Sequence, residues 1–250
     1  MGEFIESLQN PLLKRVRSLA DKKYRAAEGL FIAEGEGQLI RARENGWEAE
    51  ILISTSDWMA DTGLIRWAEK HVIVPVPVMP RITGMDNAPP VMAAMKPRFA
   101  QLHPQGLWLA LEDIRDPGNL GTILRTAEAA GAAGVVLIGE TCDPFSRECV
   151  RAATGSLFAM PIVRMDKAQA LEAIHSWPGD VVGTQMQASE SYKAPLKSPS
   201  LLLMGSESKG LSPELLQAAT KLVAIPMASS VESLNVAIAS ALMLYAAKGF

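Results

Sequence analysis

The chain has 250 residues, 48% of them hydrophobic, and a formal net charge of −3. That length supports one large domain or two modest ones around a substantial core, and the slightly acidic balance excludes the global basic field of a protein that coats nucleic acid non-specifically. Two cysteines, Cys142 and Cys149, and three scattered histidines, His71, His103 and His175, form no metal-type spacing, so reduced thiols and no metal site are expected.

No apolar run approaches the roughly 20 residues of a membrane span. The opening Met1-Gly2-Glu3-Phe4-Ile5-Glu6 lacks the basic-then-apolar order of a signal peptide. The expected compartment is the cytoplasm, with no membrane partner.

Residues 11–25 hold Lys14, Arg15, Arg17, Lys22, Lys23 and Arg25 against the single acid Asp21. On a helical wheel Leu12, Val16, Leu19 and Ala20 gather on one side and Lys14, Arg15, Arg17, Lys22 and Arg25 on the other, which predicts one amphipathic basic helix. Its charged face is either an ordinary solvated one or a local nucleic-acid surface. Strand patterns at 29–33, 50–54, 72–76 and 91–95 alternate with helical patterns at 36–44 and 64–70, implying a small α/β unit. Periodicity is then lost over 96–106, which carries Pro97 and Pro104. The expected division is a domain over 1–97, a linker over 98–106 and a second domain over 107–250.

The second half alternates strands at 107–111, 134–138, 161–163, 180–184, 200–204 and 222–225 with helices near 118–131, 146–154, 167–176, 212–219 and 235–248. Val135-Val136-Leu137-Ile138 and Leu201-Leu202-Leu203-Met204 are continuously apolar, as expected of a parallel sheet covered on both faces.

Three polar stretches, the first two glycine-bearing, punctuate this pattern at strand ends and helix starts, where ligands of α/β sheets bind. In the first, Asp116 is a suitable N-cap and Pro117 suits the first helical position. Arg125 lies opposite the apolar stripe, on the side of Gly118, Gly121 and Thr122, a guanidinium over a small-residue floor that suits a phosphate. In the second, Gly205 and Ser206 leave a buried strand, Ser212 is placed to cap the next helix, and Glu207 and Lys209 sit on a turn with no structural duty. In the third, Ser233 and Asn235 can each cap the helix that follows, but only one can do so, leaving the other for a ligand. Taken singly, each stretch also reads as nothing more than a helix cap or an ordinary turn.

Together the stretches resemble the three signature motifs of the SpoU family of RNA 2'-O-ribose methyltransferases, within the SPOUT superfamily: Asp116-Pro117-Gly118-Asn119-Leu120-Gly121 with Arg125, then Gly205-Ser206-Glu207 with Gly210-Leu211-Ser212, then Ile225-Pro226-Met227 with Glu232-Ser233-Leu234-Asn235. At the front, Ser7-Leu8-Gln9-Asn10-Pro11, Lys22-Lys23-Tyr24-Arg25 and Phe31-Ile32-Ala33-Glu34-Gly35 resemble the RNA substrate-binding domain often fused ahead of that catalytic domain, a fold similar to a small ribosomal protein. Asn87-Ala88-Pro89-Pro90-Val91 departs from the family's usual Pro-Gln-Gly type sequence.

The resemblance implies a C-terminal α/β domain with a parallel sheet and a trefoil knot, S-adenosylmethionine as cofactor, and a homodimer whose interface borders the site. Carried over position by position, it implies cofactor contacts at Gly205, Ile225 and Leu234, with Met204, Met227 and Thr184 beside them. Catalytic duties fall on Asn119, Arg125, Glu207, Ser233 and Asn235, and RNA contacts on Lys14, Arg17, Lys22, Lys23, Arg25 and Arg125. The implied reaction is methyl transfer to a ribose 2'-hydroxyl of structured RNA. Ribosomal RNA is the leading substrate, and transfer RNA or a non-catalytic RNA-binding role are the alternatives. A dinucleotide oxidoreductase would also suit a parallel sheet, but Gly35-Glu36-Gly37 is too sparse for its phosphate loop.

Overall fold

The computed structural model describes residues 2–59, 62–206, 208–228, 230 and 233–250. In chain order the elements begin with β1 (Glu3–Phe4), α1 (Pro11–Ser18), α2 (Lys22–Glu28), β2 (Phe31–Glu34), α3 (Glu36–Glu44), β3 (Ala49–Thr55), α4 (Thr62–Trp67), β4 (Ala68–Val74), a 3-10 turn (Val76–Val78), α5 (Met79–Thr83) and β5 (Val91–Met95). They continue with β6 (Leu107–Glu112), α6 (Pro117–Ala129), β7 (Gly134–Ile138), α7 (Arg147–Ala153), α8 (Ser156–Ala159), β8 (Ile162–Met165), α9 (Lys167–His175) and β9 (Val181–Thr184). The last are β10 (Glu190–Ser191), β11 (Ser200–Met204), α10 (Pro213–Ala218), β12 (Lys221–Ala224) and α11 (Val236–Lys248). Two compact units result: Met1–Arg98 with Asp143–Ala159, and Phe99–Cys142 with Met160–Phe250.

The first unit is built on a five-stranded mixed sheet in the order β1-β4-β3-β5-β2. The basic stretch forms two helices, correcting the single helix expected from the wheel. The Asn10 side chain accepts the Leu12 N–H at 2.8 Å to start α1. Asp21 accepts the Lys23 N–H at 2.8 Å and starts α2, which ends at Gly29 in the left-handed conformation. A well-placed cap inside a helical pattern restarts the helix rather than extending it. The buried stripe accordingly is Leu13, Val16 and Leu19, packed against Ile32, Ile51, Ile53 and Met92, while Ala20 is exposed.

The helix expected over 64–70 stops at Trp67. Ala68 to Lys70 join β4 instead, because parallel pairing of Ala49 with Ala68 and Ile51 with Lys70 satisfies the backbone there. The segment Asp143–Ala159 belongs to this unit through aromatic packing: the Phe31 and Phe145 ring centroids lie 4.8 Å apart and those of Trp47 and Phe158 5.3 Å apart. The Trp47 indole N–H also donates to the Phe158 carbonyl at 2.9 Å. Sequence periodicity carries no sign of that return.

The second unit is built on a seven-stranded sheet in the order β10-β12-β9-β11-β6-β7-β8, and its pairings are parallel. Every residue of β6, β7 and β11 is buried, as the continuous apolar runs require. Helix α6 packs along α11, and α9 along α10. The chain runs outward from β6 through β7 to β8, then occupies the other side of β6 with β11, β9 and β12. This reversal of strand order creates the crevice at strand C-terminal ends where open α/β sheets receive ligands.

Candidate functional site

A cavity of about 440 Å³ lies at the C-terminal ends of β9, β11 and β12, bordered by Ser233 and Leu234 ahead of α11. Thr184, Met204, Gly205, Ile225, Met227 and Leu234 all line it, and so does Ser233. Thr184 is tied to β11 by its hydroxyl, which donates to the Leu203 carbonyl at 3.3 Å. Gly205 cannot be replaced without displacing its surroundings, since a Cβ there would overlap the backbone of Gly210 and Leu211. The close approach folds the loop back on itself, and the Gly210 N–H donates to the Ser206 carbonyl at 2.8 Å.

The lining combines apolar side chains of Leu211, Leu216, Val223, Ile225, Leu234 and Val236 with polar groups of Thr184, Gln185, Gln187, Ser206, Ser208 and Ser233. Apolar walls with a few convergent polar groups suit an aromatic ring carrying a polar tail, and the volume falls within the usual range of small-molecule sites, roughly 300–1,000 Å³. Donor chemistry and volume thus fit an adenosine-containing cofactor. Gln185, Met186, Gln187, Ser206, Ser208 and Lys209 were missed as lining residues. The polar run directly after the strand pattern at 180–184 was the available signal for the two glutamines.

Two helix N-termini meet in this unit. Asp116 caps α6 by accepting the Asn119 N–H at 2.6 Å. Asn235 caps α11, its side-chain oxygen accepting the Ala237 N–H at 2.9 Å and the Ile238 N–H at 3.3 Å. Its amide nitrogen donates to the Asn119 side-chain oxygen at 3.0 Å. Asn235 is therefore the cap, and Ser233 is released to face the cavity. Arg125 is exposed on α6, does not line the cavity, and makes no hydrogen bond or ion pair with any described residue.

Around Arg125 the small-residue floor is narrower than expected. Thr122 is exposed, but Gly121 is buried among the core positions of α6. Ser212 also departs from its expected role, since its hydroxyl makes no capping bond. Its N–H instead donates to the buried Glu112 carboxylate at 2.7 Å, which Lys167 also approaches at 3.2 Å. Glu207, together with Glu232 of the third motif, lies outside the described residues.

Of the cations expected to touch RNA, Lys14, Arg17, Lys22 and Lys23 are exposed. Arg25 is a correction, because it is only 8% exposed. Its guanidinium donates to Asp143 at 2.8 and 2.9 Å and to the carbonyls of Leu19 and Ala20 at 3.0 and 2.8 Å. It thus holds the turn between α1 and α2, with its donors committed inside the unit. Exposed Tyr24, with the Lys23 ammonium 6.0 Å from its ring centre, stands among these lysines. No group of three His, Cys, Asp or Glu among the described residues could hold a metal ion, and no helix among them is long and apolar enough to cross a membrane.

Comparison with known proteins matches residues 106–245 to the SpoU rRNA Methylase family and residues 10–93 to the MRM3-like substrate binding domain. An uncharacterised tRNA/rRNA methyltransferase of Synechocystis sp. is 35% identical over 98% of this chain and 93% of its own length. The 23S rRNA (guanosine(2553)-2'-O)-methyltransferase of Bacillus subtilis is 30% identical over 98% of this chain and 99% of its own. The AdoMet-bound rRNA methyltransferase from Sinorhizobium meliloti, a crystal structure, is 38% identical with a TM-score of 0.93, covering 99% of this chain and 97% of that one. With the glycine-built cavity and the paired helix caps in place over the matched segment, the chain belongs to the SpoU rRNA methylase family.

Proposed function

We propose that the protein transfers a methyl group from S-adenosylmethionine to a ribose 2'-hydroxyl of ribosomal RNA. The observation that carries this reading is the cavity at Gly205, Ile225 and Leu234, joined through Ser233 and Asn235 to Asn119 on α6. The relatives' names supply the substrate class: ribosomal RNA for the Bacillus subtilis and Sinorhizobium meliloti proteins, with 2'-O-methylation named for the first.

When bound, the cofactor supplies an electrophilic methyl group on sulfur. The residues of this chain do the rest by placement. Gly205 keeps the loop backbone close to the ligand, and the apolar walls exclude water from one side of the reacting pair. The bond between Asn235 and Asn119 fixes the entry to α11 relative to α6, so that Ser233 and the Asn119 side chain hold constant positions beside the ribose. Arg125 keeps its proton, because a guanidinium is not deprotonated in proteins. It binds the target phosphate and stabilises the negative charge that grows on the 2'-oxygen as the hydroxyl proton passes to solvent water and the C–S bond breaks. Glu207 is assigned to orienting Arg125 and the ribose. Lys14, Arg17, Lys22 and Lys23 bind RNA phosphates without reading sequence.

The same reading includes a homodimer in the cytoplasm and a trefoil knot in the C-terminal domain. Support for the dimer comes from α11, which exposes Ile238, Leu242 and Tyr245 at 55%, 37% and 42% of their surface. Contiguous exposed apolar surface of this kind marks an interaction face. Arg125 standing outside the cavity of its own chain further supports a site completed by a second copy. A domain over 1–97, a linker over 98–106 and a catalytic domain over 107–250 remain the proposed functional division. Mapping ribose methylation in ribosomal RNA from cells with and without the gene tests the proposal. One 2'-O-methyl group lost with the gene is expected, and an unchanged map contradicts it.

A further inference from the structure

Lys209 is the only charged side chain among the described residues that line the cavity. It sits on the turn folded between Ser206 and Gly210, is exposed, and makes no hydrogen bond or ion pair with any described residue. Some exposed lysines, Lys96 and Lys167, reach carboxylates at 3.2 Å, whereas Lys22 and Lys23 stand on an open helix surface; Lys209 differs from both groups in lining a cavity. Among the described residues, this ammonium on the wall of a mostly apolar cavity meets no counter-charge. An anionic group on the occupant would supply one through a charge-assisted hydrogen bond, which is stronger than a neutral one.

We propose that Lys209 is the group that recognises the amino-acid carboxylate of the cofactor. The inference rests on the S-adenosylmethionine reading above. The apolar side chains of Leu211, Leu216, Val223, Ile225, Leu234 and Val236 suit the adenine ring, whereas Ser206, Ser208 and Lys209 share one turn that offers hydroxyls and an ammonium. An ammonium has only donors, so it selects the carboxylate end of a zwitterionic tail over the amino end. The short link from Gly205 to Gly210 places that turn directly after β11, where the glycine pair keeps it against the cavity wall. Lys209 thus acts as a cofactor-binding residue, and discarding the tail should erase its contribution.

Calorimetric titration of two ligands tests this. S-Adenosylhomocysteine carries the amino-acid tail, and 5'-methylthioadenosine carries the adenosine and sulfur without it. Lys209→Ala should weaken S-adenosylhomocysteine on the order of tenfold while leaving 5'-methylthioadenosine unchanged. Lys209→Arg should restore most of the loss, and Lys209→Glu should deepen it. Unaltered binding of 5'-methylthioadenosine also reports an intact fold. Equal weakening of both ligands, or no weakening of either, would overturn the assignment to the carboxylate. A wild-type protein that binds neither ligand would overturn the cofactor reading itself, and the Lys209 assignment with it.

Discussion

The Asn235 side chain donates to Asn119 at 3.0 Å while its oxygen caps α11, so one amide joins the N-termini of two helices separated by more than one hundred residues of chain. Asn235→Ala removes both the cap and the bridge. It should cost about 1 kcal/mol of stability in urea unfolding, the usual price of a lost N-cap. Asn119→Ala keeps both caps, since Asp116 serves α6, and should unfold nearly like the wild type. Both variants should transfer methyl groups at least tenfold more slowly, because the bridge is lost in each. A near-normal rate for Asn119→Ala would show that the bridge is structural alone.

Gly205→Ala places a methyl group into the backbone of Gly210 and Leu211. The loop must shift, and the shift moves one wall of the cavity. S-Adenosylhomocysteine affinity measured by calorimetry should fall by at least tenfold, with the thermal midpoint lowered by a few degrees. Wild-type affinity in this variant would remove the loop from the cofactor site.

The two classes of cation at the front of the chain should behave differently. Neutralising Lys14, Arg17, Lys22 and Lys23 together should weaken RNA binding and flatten its dependence on salt, with little change in folding. Arg25→Ala should instead destabilise the unit by about 3 kcal/mol, since it strands Asp143 and two carbonyls that were paired. Filter binding across a salt series and urea unfolding separate the two effects. A salt slope unchanged by the four neutralisations would return that surface to ordinary solvated helix.

Burial lowers the His71 pKa below its ordinary value, and its Nε2 lies 2.9 Å from the Ser54 hydroxyl. A histidine held neutral in the folded state binds fewer protons than the unfolded chain between the two pKa values. Stability contributed by this group is therefore complete above about pH 6.5 and declines as the pH falls through the lowered folded value. Urea midpoints measured from pH 7.5 down to 5 should drop, and His71→Gln should flatten the decline. Asp180 adds a separate, more acidic loss. Burial would raise its pKa, but the Lys197 N–H and the Lys221 ammonium outweigh burial and lower it, so its contribution disappears only below the usual carboxylate range.

The second unit was more legible in the sequence than the first, for physical reasons visible in single residues. Val135 to Ile138 and Leu201 to Met204 are apolar throughout because both faces of their strands are covered, and their short length, with the β-branched content of the first, favours strand over buried helix. Ala68 to Lys70 read as the end of a helix, since their strand conformation depends on pairing with β3, a partner nineteen residues earlier at Ala49. Asp21 was visible as the lone acid in a basic stretch, yet its power to restart a helix was outweighed by the wheel pattern on both sides. In the site, Thr184 through Leu234 converge because three separate strands end at one edge, which spacing alone does not reveal. Arg25 looked like its exposed neighbours, and only the return of Asp143 to the first unit shows why it is buried.

The central claim is chemical transfer to a ribose oxygen with Arg125 serving the transfer and not the cofactor. Its most direct measurement incubates wild-type and Arg125→Ala protein with methyl-labelled S-adenosylmethionine and unmodified ribosomal RNA, follows alkaline hydrolysis of the product, and titrates S-adenosylhomocysteine in parallel. The account predicts label in an alkali-resistant dinucleotide with the wild type, at least a hundredfold less with Arg125→Ala, and equal cofactor affinity for both. Label released in mononucleotides, or an Arg125→Ala protein that transfers at the wild-type rate, would contradict it.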